Sequence, residues 1–173
     1  MTLKTMNHNN FPPVLVSIKT QIFDPLGFEI RNLITSAESS AYDGCSFEIN
    51  GSKIVFRTAK ITPTKTGQFV TVWKRNDQGI TRPYKVSDNF DCMVIHVASG
   101  RHSGQFILSK TALLTHGIID GTKPGKRGFR VYPPWNTTNN SQAQKTQKWQ
   151  IDCFVDTSGT NVNLEKIKNL FGW

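Results

Sequence analysis

Acidic residues are scarce where this chain is most basic. Between positions 51 and 150 there are 16 Lys and Arg against 4 Asp and no Glu. The flanks, 1–50 and 151–173, each carry slightly more acid than base, so the net charge of +9 over 173 residues is concentrated in the middle. A focused positive field concerns partners and association rate, not fold. Cysteine is sparse as well: Cys45, Cys92 and Cys153 are odd in number, far apart and never in a CxxC pair. That excludes a disulfide framework and a zinc knuckle, and it predicts buried free thiols in a reducing compartment. No apolar run reaches about 18 residues, and nothing near the N-terminus resembles a secretory h-region, so a soluble, cytoplasmic protein with no membrane partner is expected. There is no GxSxG nucleophile turn. Gly121–Lys126 (GTKPGK) lacks the spacing and terminal Ser or Thr of a phosphate loop. No internal repeat and no low-complexity tract is present.

What remains is ordinary in core content. The hydrophobic fraction is 37%, enough for one domain with a real interior. Residues 1–12 read as a flexible N-terminal segment, and 13–173 as a single domain. Val14, Leu15, Ile18, Ile22 and Phe23 recur at helical spacing behind Pro13, which suits a first helical position. Phe28–Thr35 reads as a strand. Cys45–Ile49 and Lys53–Phe56 read as a hairpin around Asn50-Gly51, a strong short-range turn signal. The second strand is expected to run on through Arg57, Ala59 and Ile61. Gln68–Trp73 would then complete three neighbouring antiparallel strands. Asn76–Ser87 reads as a polar loop, Asp91–Val97 and Gln105–Leu108 as strands, and Ser109 as the cap of a short helix stopped by Gly117. A basic glycine loop (121–127), a strand at Phe129–Tyr132, a helix over 142–154 and a final helix capped by Asn163 complete a mixed α/β domain.

Three cationic stretches carry the functional reading. The first, 57–75, holds Arg57, Lys60, Lys65, Lys74 and Arg75 without one acid. The second, GKRGFRVYPPW, holds Lys126, Arg127 and Arg130 among glycines and aromatic rings. The third is Lys145 and Lys148, three apart on a helix. Guanidinium forks and glycine-exposed amides suit phosphate, Tyr132, Trp135 and Trp73 offer stacking faces, and the glutamines of QAQKTQKWQ could reach phosphates or base edges. A solvated basic face and an acidic protein partner are the competing readings. Trp73 and Trp149 fit the core better than a stacking platform, and Cys92 with His96 fits a satisfied interior pair better than a catalytic one. For cleavage, Glu48 and Lys60 could share a sheet edge as the acid and lysine of a Mg²⁺-dependent nuclease, although one carboxylate makes an incomplete metal site.

FRTAKITPTKTGQFVTVWKR, GKRGFRVYPPW and QAQKTQKWQ resemble the hallmark blocks of the MepB-like family. The opening helix, SDNFD at Ser87–Asp91 and GQF at Gly104–Phe106 agree, so the resemblance spans roughly residues 14–155. It implies a restriction-endonuclease-like fold of the PD-(D/E)XK type, a central mixed sheet flanked by helices. In that superfamily an acid-x-lysine element sits on a central strand. Lys60 could match the lysine and Glu48 the preceding acid, but Thr58 stands where the acid of the element belongs. That departure speaks against efficient cleavage and leaves nucleic-acid binding, to DNA more than RNA, as the expected function, with a metal-dependent nuclease or a regulatory protein with an acidic partner as the alternatives. The resemblance implies no cofactor, except Mg²⁺ if the chain is a nuclease after all.

Overall fold

The computed structural model describes residues 11–173; most of the segment expected to be flexible lies outside them. Pro12 and Pro13 start helix α1 (Pro13–Ile18), which widens into a π-helical turn over Lys19–Phe23. The wider turn keeps Leu15, Ile18, Ile22 and Phe23 on one buried face. Strand β1 (Arg31–Thr35) and a 3₁₀ segment (Ala37–Tyr42) lead into the hairpin β2 (Cys45–Ile49) and β3 (Ser52–Thr58). Its turn has φ of 46° at Asn50 and 78° at Gly51, the left-handed pair that a two-residue hairpin requires.

The main sheet has six strands in the order β1-β2-β3-β8-β9-β11, where β8 is Cys92–Ser99, β9 His102–Ser109 and β11 Phe154–Asp156. Only β3 and β8 run parallel; the sheet is mixed, as expected. Alternation along β3 sends Ile54 and Phe56 to one face, against α1 and α4 (Leu164–Phe171). It sends Val55 to the other, where Val70, Phe129 and Val131 of a smaller sheet meet it with Val72, just past that sheet, and Leu113 of α2 (Lys110–Thr115). Ser109 and Asn163 cap α2 and α4 as the sequence predicts, each side chain accepting from a backbone N–H three residues on.

The expected three-strand meander does not form. The chain leaves the main sheet at Ala59, and β4 (Lys60–Ile61) pairs instead with β5 (Gln68–Thr71). β5 also pairs with β10 (Gly128–Val131), giving a separate sheet in the order β10-β5-β4. The place beside β3 goes to β8, whose CMVIHV run is apolar enough to be buried on both faces. The 68–71 stretch buries only alternate residues and suits a surface layer. The expected polar loop at 76–87 also contains a strand: β7 (Thr81–Pro83) pairs with β6 (Trp73–Arg75). Helix α3 (Ser141–Asp152) closes the small sheet's free edge. Cys45 and Cys92 are buried, Cys153 is half-buried, and all three thiols are free.

Candidate nucleic-acid interface

Two glutamines explain why α3 sits where it does. Gln150 is fully buried. Its Oε1 accepts from the Tyr132 backbone N–H at 2.8 Å, and its Nε2 donates to the Arg130 carbonyl at 3.0 Å. One side-chain amide thus does for the edge of β10 what a neighbouring strand would do. One turn earlier, Gln147 donates to the carbonyls of Pro133 (3.1 Å) and Asn136 (2.9 Å) and accepts from Thr138 Oγ1 (3.1 Å). These two amides hold the scaffold together, so the expectation that they reach phosphates or bases is corrected.

The docked helix leaves a cleft of about 690 Å³ between its N-terminal half, the 64–66 loop and the end of β10. Lys65, Lys126 and Arg130 line it, with no Asp or Glu among the lining residues. Lys65 and Lys126 are exposed. Arg130 is half-buried and clamps the loop: Nη2 donates to Thr62 Oγ1 at 2.6 Å and Nη1 to the carbonyls of Thr66 and Gly67 at 3.3 and 3.2 Å. Asn139, Asn140 and Gln142 bring amides to the far wall. Asn140 is the α3 cap, its Oδ1 accepting from Ala143 N at 2.8 Å, and no acid occupies the first turn. The positive end of a 12-residue helix therefore opens onto the cleft.

At one rim the rings of His116 and Trp149 stack, with centroids 3.9 Å apart and planes within 5°. Desolvation holds the His116 pKa below its usual 6.5, so at neutral pH this ring contributes a face and no charge. Exposed Lys145 and Lys148 stand on a shelf beyond that stack, shared with Asp152. Tyr132 lines the cleft itself.

A family model, MepB-like, matches residues 36–156, well over half of the chain. The chain belongs to the MepB-like family. The crystal structure of MepB is similar to it at 30% identity with a TM-score of 0.74, over 86% of this chain and 99% of that one. No curated protein matches.

This MepB-like fold separates the remaining candidate residues. Arg57 is not on a surface; it is 5% exposed beneath the β6–β7 hairpin. Lys74 pairs with Asp88 at 3.4 Å, and Arg75 with Glu38 at 2.7 Å. Arg127 is exposed but ties the glycine loop to β7, donating to the Thr81 carbonyl from Nε at 3.2 Å and Nη2 at 2.9 Å. Lys60 lies over the Tyr42 ring at 4.8 Å. Trp135 packs edge-on against Phe154 and stacks on His102, away from the cleft.

Glu48 and Lys60 share no sheet edge. Glu48 sits on β2 opposite Lys53 and accepts from Asn32 Nδ2 at 2.8 Å, whereas Lys60 has left for the smaller sheet. Thr58 ends β3 in register with His96, and His96 Nδ1 lies 2.8 Å from Gln105 Nε2. Among the described residues no group of three or more His, Cys, Asp or Glu could hold a metal ion. Asn139, Asn140 and His116 are cleft residues that sequence reasoning assigned no binding role, whereas Gln142, one of the glutamines expected to reach phosphates or base edges, does line the cleft. The Asn-Asn-Ser run before α3 was the available signal, because it is a capping sequence.

Proposed function

We propose that this MepB-like protein binds nucleic acid, DNA before RNA, through the cleft between α3 and the small sheet. One observation carries the reading: three cations and a helix N-terminus converge on a cleft whose lining contains no carboxylate. An acidic protein partner is a weaker fit, because the cleft is polar and lined with amides suited to phosphate oxygens. The outer lysines, Lys145 and Lys148, extend the phosphate track along α3. Free thiols and the lack, among the described residues, of any helix long and apolar enough to cross a membrane fit a cytoplasmic setting.

The test is fluorescence anisotropy with labelled single- and double-stranded oligonucleotides between 50 and 200 mM salt. Affinity should fall steeply with salt. Lys65→Ala and Lys126→Ala should each weaken every sequence alike and flatten the log–log salt slope by about 0.7–0.9 for each phosphate no longer neutralised. An affinity indifferent to salt, or unchanged in the Lys65/Lys126 double variant, refutes the assignment.

A further inference from the structure

A second pocket, sharing no lining residue with the first, contains an unsatisfied charge. It lies between the 3₁₀ segment, β2, β3 and the β6–β7 hairpin, and measures about 180 Å³. Arg57 forms its floor. Among the described residues Arg57 is the only buried basic side chain, and no carboxylate pairs with it. Its Nη1 donates to its neighbour's Phe56 carbonyl at 2.7 Å, its Nη2 lies 3.5 Å from Tyr84 Oη, and its Nε is buried with no partner. Ser39, also 5% exposed, lines the same pocket, and its Oγ is likewise buried without a partner. Nearby cations behave differently: Lys74 and Arg82 use Asp88, and Arg75 uses Glu38.

A guanidinium cannot shed its proton, so burial without a counter-charge is costly. The thiol beside it supplies none, since burial pushes Cys45 up to about 12. Arg57 Nε and Ser39 Oγ have no accessible surface, the latter packing against Gly44, so what the pocket presents is the unneutralised guanidinium charge, and that calls for a ligand rich in acceptors and negative charge. The volume limits its size. At about 180 Å³ the pocket falls below the roughly 300–1,000 Å³ of pockets that take drug-sized ligands. That is room for a tetrahedral oxyanion but too little for a whole nucleotide.

We propose that this pocket binds a phosphate group, free or as a terminal monoester, with Arg57 as its fixed counter-charge. Lys74 and Arg75 on its wall add to the attraction, and Glu38 limits it. The proposal stands apart from the cleft: either could fail alone.

The first arm measures thermal unfolding in 10 mM inorganic phosphate against sodium chloride of equal ionic strength. For a Kd near 0.1 mM the rise should be roughly 7 °C. The second arm compares a short oligonucleotide with and without a 5′-phosphate, where the phosphate should tighten binding about tenfold. Arg57→Met should abolish whichever effect is present. Glu38→Gln, which removes the carboxylate from the pocket wall, should strengthen it several-fold. Lys65→Ala and Lys126→Ala should leave it untouched. A phosphate effect confined to the first arm identifies a free anion, and one confined to the second a strand end. The absence of both in the wild type, or survival of either in Arg57→Met, or no gain in Glu38→Gln, overturns the proposal.

Discussion

Replacing Gln150 tests whether one side chain anchors the wall of the cleft. β10 has β5 on one side only, and its other edge is met by the Gln150 amide at 2.8 and 3.0 Å. Gln150→Leu keeps a side chain of similar volume and removes both hydrogen bonds. It leaves the Tyr132 N–H and the Arg130 C=O facing an apolar side chain. An orphaned buried polar group costs about 1–3 kcal/mol, so two cost about 2–6 kcal/mol, with the low end applying if water reaches them. Against a total stability of about 5–15 kcal/mol that is a large fraction. Equilibrium urea unfolding should show a lower midpoint with an unchanged m value. Gln150→Ala adds a cavity and should cost more than Leu. A Leu variant within about 0.5 kcal/mol of wild type would show that the strand edge is satisfied some other way, and the account of α3 docking would fail.

Three further outcomes follow from the same geometry. Gly67→Ala should cost about 2 kcal/mol or more and weaken oligonucleotide binding, because φ is +81° and a Cβ would meet the Tyr132 ring at 2.7 Å and the Val131 carbonyl at 2.9 Å; thermal melts and anisotropy on one preparation check both. Asp88 should control acid stability. Burial alone would raise its pKa, but hydrogen bonds from Arg82 and the Lys85 N–H, with the Lys74 charge, hold it well below the usual carboxylate range. Its contribution is therefore present above the unfolded-state value of about 4 and lost as pH falls below it, so Asp88→Asn should lower stability at pH 7 and flatten the acid limb of a stability-versus-pH curve. Arg75→Ala should change stability by less than about 1 kcal/mol, its pair with Glu38 being half-exposed on both sides, and should leave affinity for an oligonucleotide without a terminal phosphate at its wild-type value.

Local chemistry was legible in the sequence; pairing across distance was not. Asn50-Gly51, Ser109 and Asn163 act within a few residues of themselves, and each does what its residue type dictates. The neighbour of β3 is a different problem. Parallel pairing with β8 joins Ile54 to Cys92 across a long excursion, and no short-range signal favours it over the nearer 68–71 strand. The same limit explains the cations. Arg75 and Glu38 lie 37 residues apart, so the stretch looks uncompensated until it folds. Gln147 and Gln150 failed for another reason. Polar residues on a helix read as solvent-facing, yet a buried strand edge needs polar partners, and here a helix supplies them.

The acids of the central segment explain why the cleft stays positive. Asp88 takes Arg82 and Lys74, Asp91 accepts from the Lys53 N–H at 2.7 Å, and the Asp120 carboxylate accepts from the Gly125 N–H inside the glycine loop. None of these carboxylates lines the cleft. Placing one acid there should therefore separate binding from stability. Gln142 is exposed, lies in the first turn of α3 and lines the cleft. Glu at this position favours the helix dipole by about 0.3–1 kcal/mol, so Gln142→Glu should be as stable as wild type or slightly more so. Toward a phosphate about 7 Å away, at an effective dielectric near 40, the new charge is repulsive by about 1.2 kcal/mol, nearly tenfold in affinity at low salt. A variant that melts at or above the wild-type temperature and binds oligonucleotide about tenfold more weakly locates the phosphates beside the α3 N-terminus. Undiminished binding in that variant places them elsewhere and removes the cleft from consideration.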